Sequence, residues 1–116
     1  MNNMSVIDYE IARFFDEMMC LRWDIEDYEK WIKDYEAKRP NYPAWETKDG
    51  QHLWIYEIED SHLDNLIPFM EKQDPENKTH WIDVFRAEKK YRWLKKKLPS
   101  KKAELLHMEM VADKCL

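Results

Sequence analysis

The sequence predicts an α+β fold that is mainly helical: a long N-terminal helix, one β-hairpin and about three further helices. Three observations carry this. A sustained apolar seam runs through the first third, an Asp-Gly pair separates two apolar-rich arms, and most of the few hydroxyl side chains stand where helices should begin.

The seam comes first. Ile7, Ile11, Phe14, Met18, Leu21, Ile25, Tyr28, Ile32 and Tyr35 are spaced alternately four and three apart, which is a heptad pattern. It predicts a helix from about Val6 to Lys38, and ~32 residues at 1.5 Å each give ~48 Å. Such a rod needs cover. The seam either packs antiparallel on the C-terminal helices or closes on a second copy, and a homo-oligomer is expected. Phe15, Met19, Trp23 and Trp31 lie outside the seam and widen the apolar face. The prolines of PNYPA (40–44) end the helix.

The hairpin is expected within residues 44–58. Trp45–Thr47 and Gln51–Ile58 flank Lys48-Asp49-Gly50, and Asp-Gly between apolar-rich runs is a strong turn signal. In the second arm Leu53, Ile55 and Glu57 would face one way, with Trp54, Tyr56 and Ile58 the other. Bulk on both faces predicts a strand covered on two sides.

A helical part is expected over residues 60–116, within a single domain of 116 residues. The chain has three serines, and each precedes a helical pattern: Ser5 before VID, Ser61 before HLD, Ser100 after Pro99. Ser5 and Ser61 have an aspartate three residues on, the spacing of a capping box. Leu63, Leu66, Ile67 and Met70 form the face of the Ser61 helix, and Pro68 inside it predicts a kink or break. DPENK (74–78) is a turn-like linker. Thr79 then caps a helix over 79–98, and Pro99-Ser100 stops it and starts a last one.

Composition narrows the function. A mean hydropathy of -0.87 and 37% charged residues would suit a disordered chain if aromatics were scarce, but six Trp, six Tyr and four Phe supply a core. No apolar run approaches the ~18 residues of a membrane span, and the N-terminus lacks the order of a signal peptide. A cytoplasmic location is expected, with Cys20 and Cys115 as free thiols. One glycine cannot build a phosphate-cradling loop. His52, His62, His80 and His107 are scattered and no cysteines pair closely, so no metal or other cofactor is expected. Capping accounts for most hydroxyls, leaving little for a nucleophile, and no catalytic residue is assigned: the chain reads as a non-enzyme.

The net charge of -5 hides an asymmetry. Residues 1–80 carry 19 acids and 9 bases, summing to -10, whereas residues 81–116 carry 5 acids and 10 bases, summing to +5. The segment RAEKKYRWLKKKLPSKK could balance the acidic N-terminal helix or hold an anion. In the second case Arg86, Lys89 and Arg92 would ligate phosphate, with Trp54, Tyr91 or Trp93 stacking on a base. A small nucleotide suits this better than DNA, which the acidic remainder would repel. The first place to look for a functional surface is where WETKDGQHLWIYEIEDSHLDNLI (45–67), a pivot between strand and helix that holds the candidate ligand residues His62 and Asn65, meets the basic helix after Thr79.

The order Trp45, Lys48-Asp49-Gly50, Ile55, Ile58, Asp60-Ser61-His62-Leu63, Asn65 and Ile67, followed by Trp81, Glu88 and Arg92, resembles a group of small phage and prophage accessory proteins. The resemblance spans residues 45–92; the heptad helix and the tail after Lys97 lie outside it, and Pro68 departs from it. It implies a counter-defence factor in the host cytoplasm. Such a factor would block a host defence protein, such as a nuclease or CRISPR effector, or sequester a nucleotide signal in the manner of a Thoeris anti-defence sponge. The alternative is a nucleic-acid-associated phage regulator using the basic C-terminal helices.

Overall fold

A computed structural model describes residues 6–115, excluding the side chains of Ile7 and Cys115. The element order is helix α1 (Val6–Lys38), a 3-10 turn (Arg39–Asn41), strand β1 (Trp45–Glu46), strand β2 (His52–Leu53), a second 3-10 turn (Ile55–Glu57), helix α2 (Asp60–Gln73) and helix α3 (Trp81–Cys115). The fold is therefore mainly helical α+β, as the sequence predicts. The Ser5 cap and the Ile7 side chain lie outside the described residues.

The chain divides into two compact units, residues 1–30 with 96–116, and residues 31–95. In the first, the N-terminal part of α1 packs antiparallel on the C-terminal part of α3. Met18, Leu21 and Ile25 are buried there, while Ile11, Phe14 and Tyr28 are half-buried. Arg22–Glu109, Asp24–Lys101 and Glu29–Lys102 ion pairs tie the two helices side by side. In the second unit Ile32 and Tyr35 of α1 are buried, and Tyr35 lies against Tyr91 of α3. Every buried seam position is thus covered within one chain.

The core of the second unit is Ile55, Ile58, Leu63, Leu66, Met70, Ile82 and Phe85. Trp45 meets Trp81 and Phe85 edge-on, both at 5.2 Å, while Trp81 and Phe85 stack at 5.3 Å. The hairpin is anchored by this aromatic cluster more than by its ladder, which pairs only Trp45 with Leu53 and Glu46 with His52.

The turn is built as its sequence demands. The Gly50 N–H donates to the Thr47 carbonyl, the Thr47 N–H donates to the Gln51 carbonyl, and the Thr47 hydroxyl accepts from the Gln51 N–H. Gly50 takes φ +80°, and a Cβ there would meet nothing within 4 Å. The preference for glycine is purely one of backbone conformation. Gly50→Ala should accordingly cost about 1 kcal/mol, the left-handed penalty for an L-residue. A urea titration checks it, and an unchanged midpoint would show that the turn relaxes freely.

Three expectations between the hairpin and α2 are corrected. The second hairpin arm stops at Leu53 instead of reaching Ile58. Ile55 and Ile58 are both buried while Trp54 and Tyr56 are exposed, because the chain turns 3-10 there and brings positions three apart onto one side. The Glu57 carboxylate accepts from the Trp54 N–H and holds that turn. Ser61 does not cap α2; Glu59 occupies the cap position, with its carbonyl accepting from the Leu63 N–H, so Ser61 sits inside the first turn.

Neither proline ends a helix. Pro68 lies inside α2 and Pro99 inside α3, so two helices follow the hairpin in place of three. Both prolines are exposed, so the carbonyl each leaves without its helical partner can bond water. Beyond Pro99, Lys101 reaches Asp24 and the Tyr28 ring, and Lys102 reaches Glu29. These contacts tie the turns that continue beyond the proline to α1.

The α2–α3 connection is closed by Asp74, whose carboxylate accepts from the Lys78 and Thr79 N–H groups and from the Thr79 hydroxyl. The Thr79 bonds hold its pKa below the ordinary carboxylate value. Thr79 in turn accepts from the Trp81 N–H at 3.5 Å, a weak cap for α3.

Candidate functional site

Two features of the second unit combine several chemical groups in one place. The first is an open groove of about 750 Å³ between the hairpin and α2. Trp45, Leu53, Leu66 and Phe69 supply apolar lining. Glu46, Thr47, Lys48, Asp49 and Gln51 of the hairpin, with His62 and Asn65 of α2, supply the polar part. The groove follows from the local sequence. A turn closed by glycine folds the hairpin back, the aromatic cluster under Trp45 fixes its angle, and the i, i+3, i+4, i+7 spacing of α2 sets His62, Asn65, Leu66 and Phe69 along one side.

The second feature is a buried ionic cluster around Glu88, which has no exposed surface. Its Oε1 accepts from the Tyr35 hydroxyl at 2.8 Å and Arg39 Nε at 3.0 Å. Its Oε2 accepts from Arg39 Nη2 and Arg92 Nε, both at 2.7 Å. Arg39 is therefore bidentate on the carboxylate, with its guanidinium 4.6 Å above the Tyr91 ring and 5.6 Å from that of Tyr56. Arg92 continues to Asp60 at 2.8 Å and the Ile55 carbonyl at 3.2 Å. Burial pushes the Tyr35 phenol well up, and its bond to Glu88 adds to the rise. Burial works against the Arg92 charge, yet the bonds to Asp60 and Glu88 overcome it and raise its pKa.

The two features differ in what they can do. Each oxygen of Glu88 already accepts two bonds, so the cluster serves to lock α1, the 3-10 turn and α3 together. The groove offers apolar surface beside groups of both charge signs.

The residues expected to bind ligand are not brought together. His62 and Asn65 line the groove. Arg86 pairs with Glu71 at 3.5 Å and Lys89 with Asp64 at 3.0 Å, both facing α2. Arg92 is committed to the Glu88 cluster, and Tyr91 is buried with its hydroxyl donating to Glu36. Trp54 and Trp93 are about half exposed. None of the proposed phosphate ligands or stacking rings lines the groove. The wider basic segment is drawn to acidic α1: Lys95 lies 4.0 Å from Glu36, and Lys90 sits over Trp31.

Sequence reasoning passed over Arg39 and Phe69, and it gave Tyr35 a place on the seam but no polar role. Glu88 and Arg92 were visible as an i, i+4 pair, but nothing local marks Arg39 as their partner. Phe69 follows a proline in a helix where a break is expected, which hid its place on the groove. Among the described residues, no three His, Cys, Asp or Glu side chains gather as a metal site, and no helix is long and apolar enough to cross a membrane. Compared with protein-family models, curated proteins and solved structures, the chain matches none.

Proposed function

We propose that this protein is a non-enzymatic inhibitor, carried by a phage, that blocks a host defence protein by binding a segment of it in the groove between the hairpin and α2. The observation that carries the reading is the groove's composition: Trp45, Leu53, Leu66 and Phe69 beside Glu46, Lys48, Asp49, His62 and Asn65. An apolar anchor set among groups of both signs suits a polypeptide, which brings its own side-chain anchor together with backbone donors and acceptors. The pairing of Arg86, Lys89 and Arg92 with carboxylates favours a protein partner over a nucleotide signal. The phage setting rests on the resemblance of residues 45–92, which contain every residue of the groove.

The test is a phage challenge of bacteria carrying cloned defence systems, a CRISPR effector among them. Expression of the chain should restore plaque formation against one of these systems. Phe69→Asp places a charge on the groove wall at a side chain that is 41% exposed, so the fold should survive while protection is lost. A folded Phe69→Asp chain with full activity would remove the groove from the mechanism. A thermal upshift with a particular nucleotide would favour the sequestration reading instead, since a ligand of the folded state stabilises it by mass action.

A further inference from the structure

The first unit carries a surface that the groove does not use. Two antiparallel helices alone leave much of a heptad seam half-buried, as Ile11, Phe14, Leu105 and Met108 are here. Beside that seam, Phe15, Met19 and Trp23 of α1 follow one another at intervals of four and stay 38–57% exposed. On α3 Leu106 and Met110, also four apart, are 58% and 49% exposed. The Arg22–Glu109 ion pair joins the two stripes at 3.2 Å, and Arg22 Nη1 also contacts the Met19 sulfur at 3.8 Å. The opposite flank is different: a shallow depression lined by Asp16, Glu17, Asp24 and Glu104 against Arg13 and Lys101.

We infer that a second copy of this chain docks on the flank formed by Phe15, Met19, Trp23, Leu106 and Met110, making a four-helix arrangement of two such helix pairs. Charge selects this occupant and this flank. Within a two-fold dimer, Arg22 of each copy can face Glu109 of the other, turning two ion pairs into one alternating network. On the opposite flank two copies would oppose a net excess of carboxylates. That acidity, with the acids of α1, also disfavours an anionic membrane as the occupant.

Area agrees. The exposed parts of these five side chains are on the order of 500 Å² per copy. Two copies then reach about the 1,000 Å² that a specific interface needs, below the ~1,600 Å² of a typical tight one. An interface of that size suits a reversible dimer. It differs from closure of the α1 seam on a second copy, since the buried seam positions are covered within the chain, and it stands or falls independently of the groove.

Sedimentation velocity of the full chain from about 1 to 200 μM tests it, with Met19→Glu and Leu106→Glu as variants at exposed positions. The wild-type chain should shift from monomer to dimer across that range, and each variant should weaken dimerisation by about 30-fold or more, as loss of a hot-spot contact does. Far-UV circular dichroism should be unchanged in both. A monomer throughout the range would overturn the inference, as would a dimer indifferent to both variants. Co-sedimentation with anionic vesicles that Met19→Glu abolishes would overturn it too, assigning the flank to a membrane surface.

Discussion

Replacing Glu88 with alanine should destabilise the second unit by about 3–5 kcal/mol, the cost of breaking a buried ion pair from one side. The reason lies in what remains. Arg39 and Arg92, with side chains only 21% and 22% exposed, would keep their charges but lose the carboxylate between them, and the Tyr35 hydroxyl would lose its acceptor. Glu88→Gln should cost less, since an amide oxygen can still accept while the charge is gone. Urea titrations of the three chains measure both losses, and a penalty under about 1 kcal/mol for alanine would show that water replaces the carboxylate. The cluster also predicts an alkaline limit. The Tyr35 phenol is held neutral above its ordinary value of 10.0, chiefly by burial. A raised pKa contributes stability that is fully present below that value and declines as pH rises beyond it, because the unfolded chain ionises first. Tyr35→Phe should flatten that alkaline decline.

The second large effect is expected at Phe85. Its ring is fully buried, stacked on Trp81 and met edge-on by Trp45. Phe85→Ala removes that ring from the middle of an aromatic cluster, and such truncations cost about 3–5 kcal/mol through lost transfer energy plus the cavity left behind. A further consequence reaches the groove. Trp45 forms one of its walls and rests on Phe85, so the hairpin should lose its fixed angle and binding should weaken more than the residual fold implies. Trp54→Ala, which truncates a larger but 45% exposed ring, should change stability by no more than about 0.5 kcal/mol. Equal losses at Phe85 and Trp54 would mean that the aromatic cluster is not the centre of this unit.

The groove and the Glu88 cluster were legible to different degrees. The hairpin turn, the start of α2 near Asp60 and the His62–Asn65 spacing are local and could be read from sequence. The sequence nevertheless points the functional surface toward the basic helix after Thr79, whereas the groove lies beside the hairpin. Its wall at Phe69 could not be read, because Phe69 follows Pro68, and whether a proline breaks a helix depends on what its neighbours hold. The Glu88 cluster was less legible still: its partners Arg39 and Tyr35 lie 49 and 53 residues away, and nothing in the charge pattern singles out that carboxylate among twenty-four acids. The basic segment shows the same limit. Its cations were visible, but their pairing with Asp24, Glu29, Glu36, Asp64 and Glu71 was not.

By itself, then, the sequence determined whatever a short window of backbone encodes. The alternating three-four seam dictated α1 over Val6–Lys38, and Asp49-Gly50 dictated a turn with one residue at positive φ. Those are matters of periodicity and local sterics. Only the tertiary structure decided that Pro99 sits within one helix, that Ile55 and Ile58 share a side, and that Glu88 is buried between two arginines. Each of these depends on free energy gained from distant neighbours, and that gain outweighs a local preference worth only a few kcal/mol.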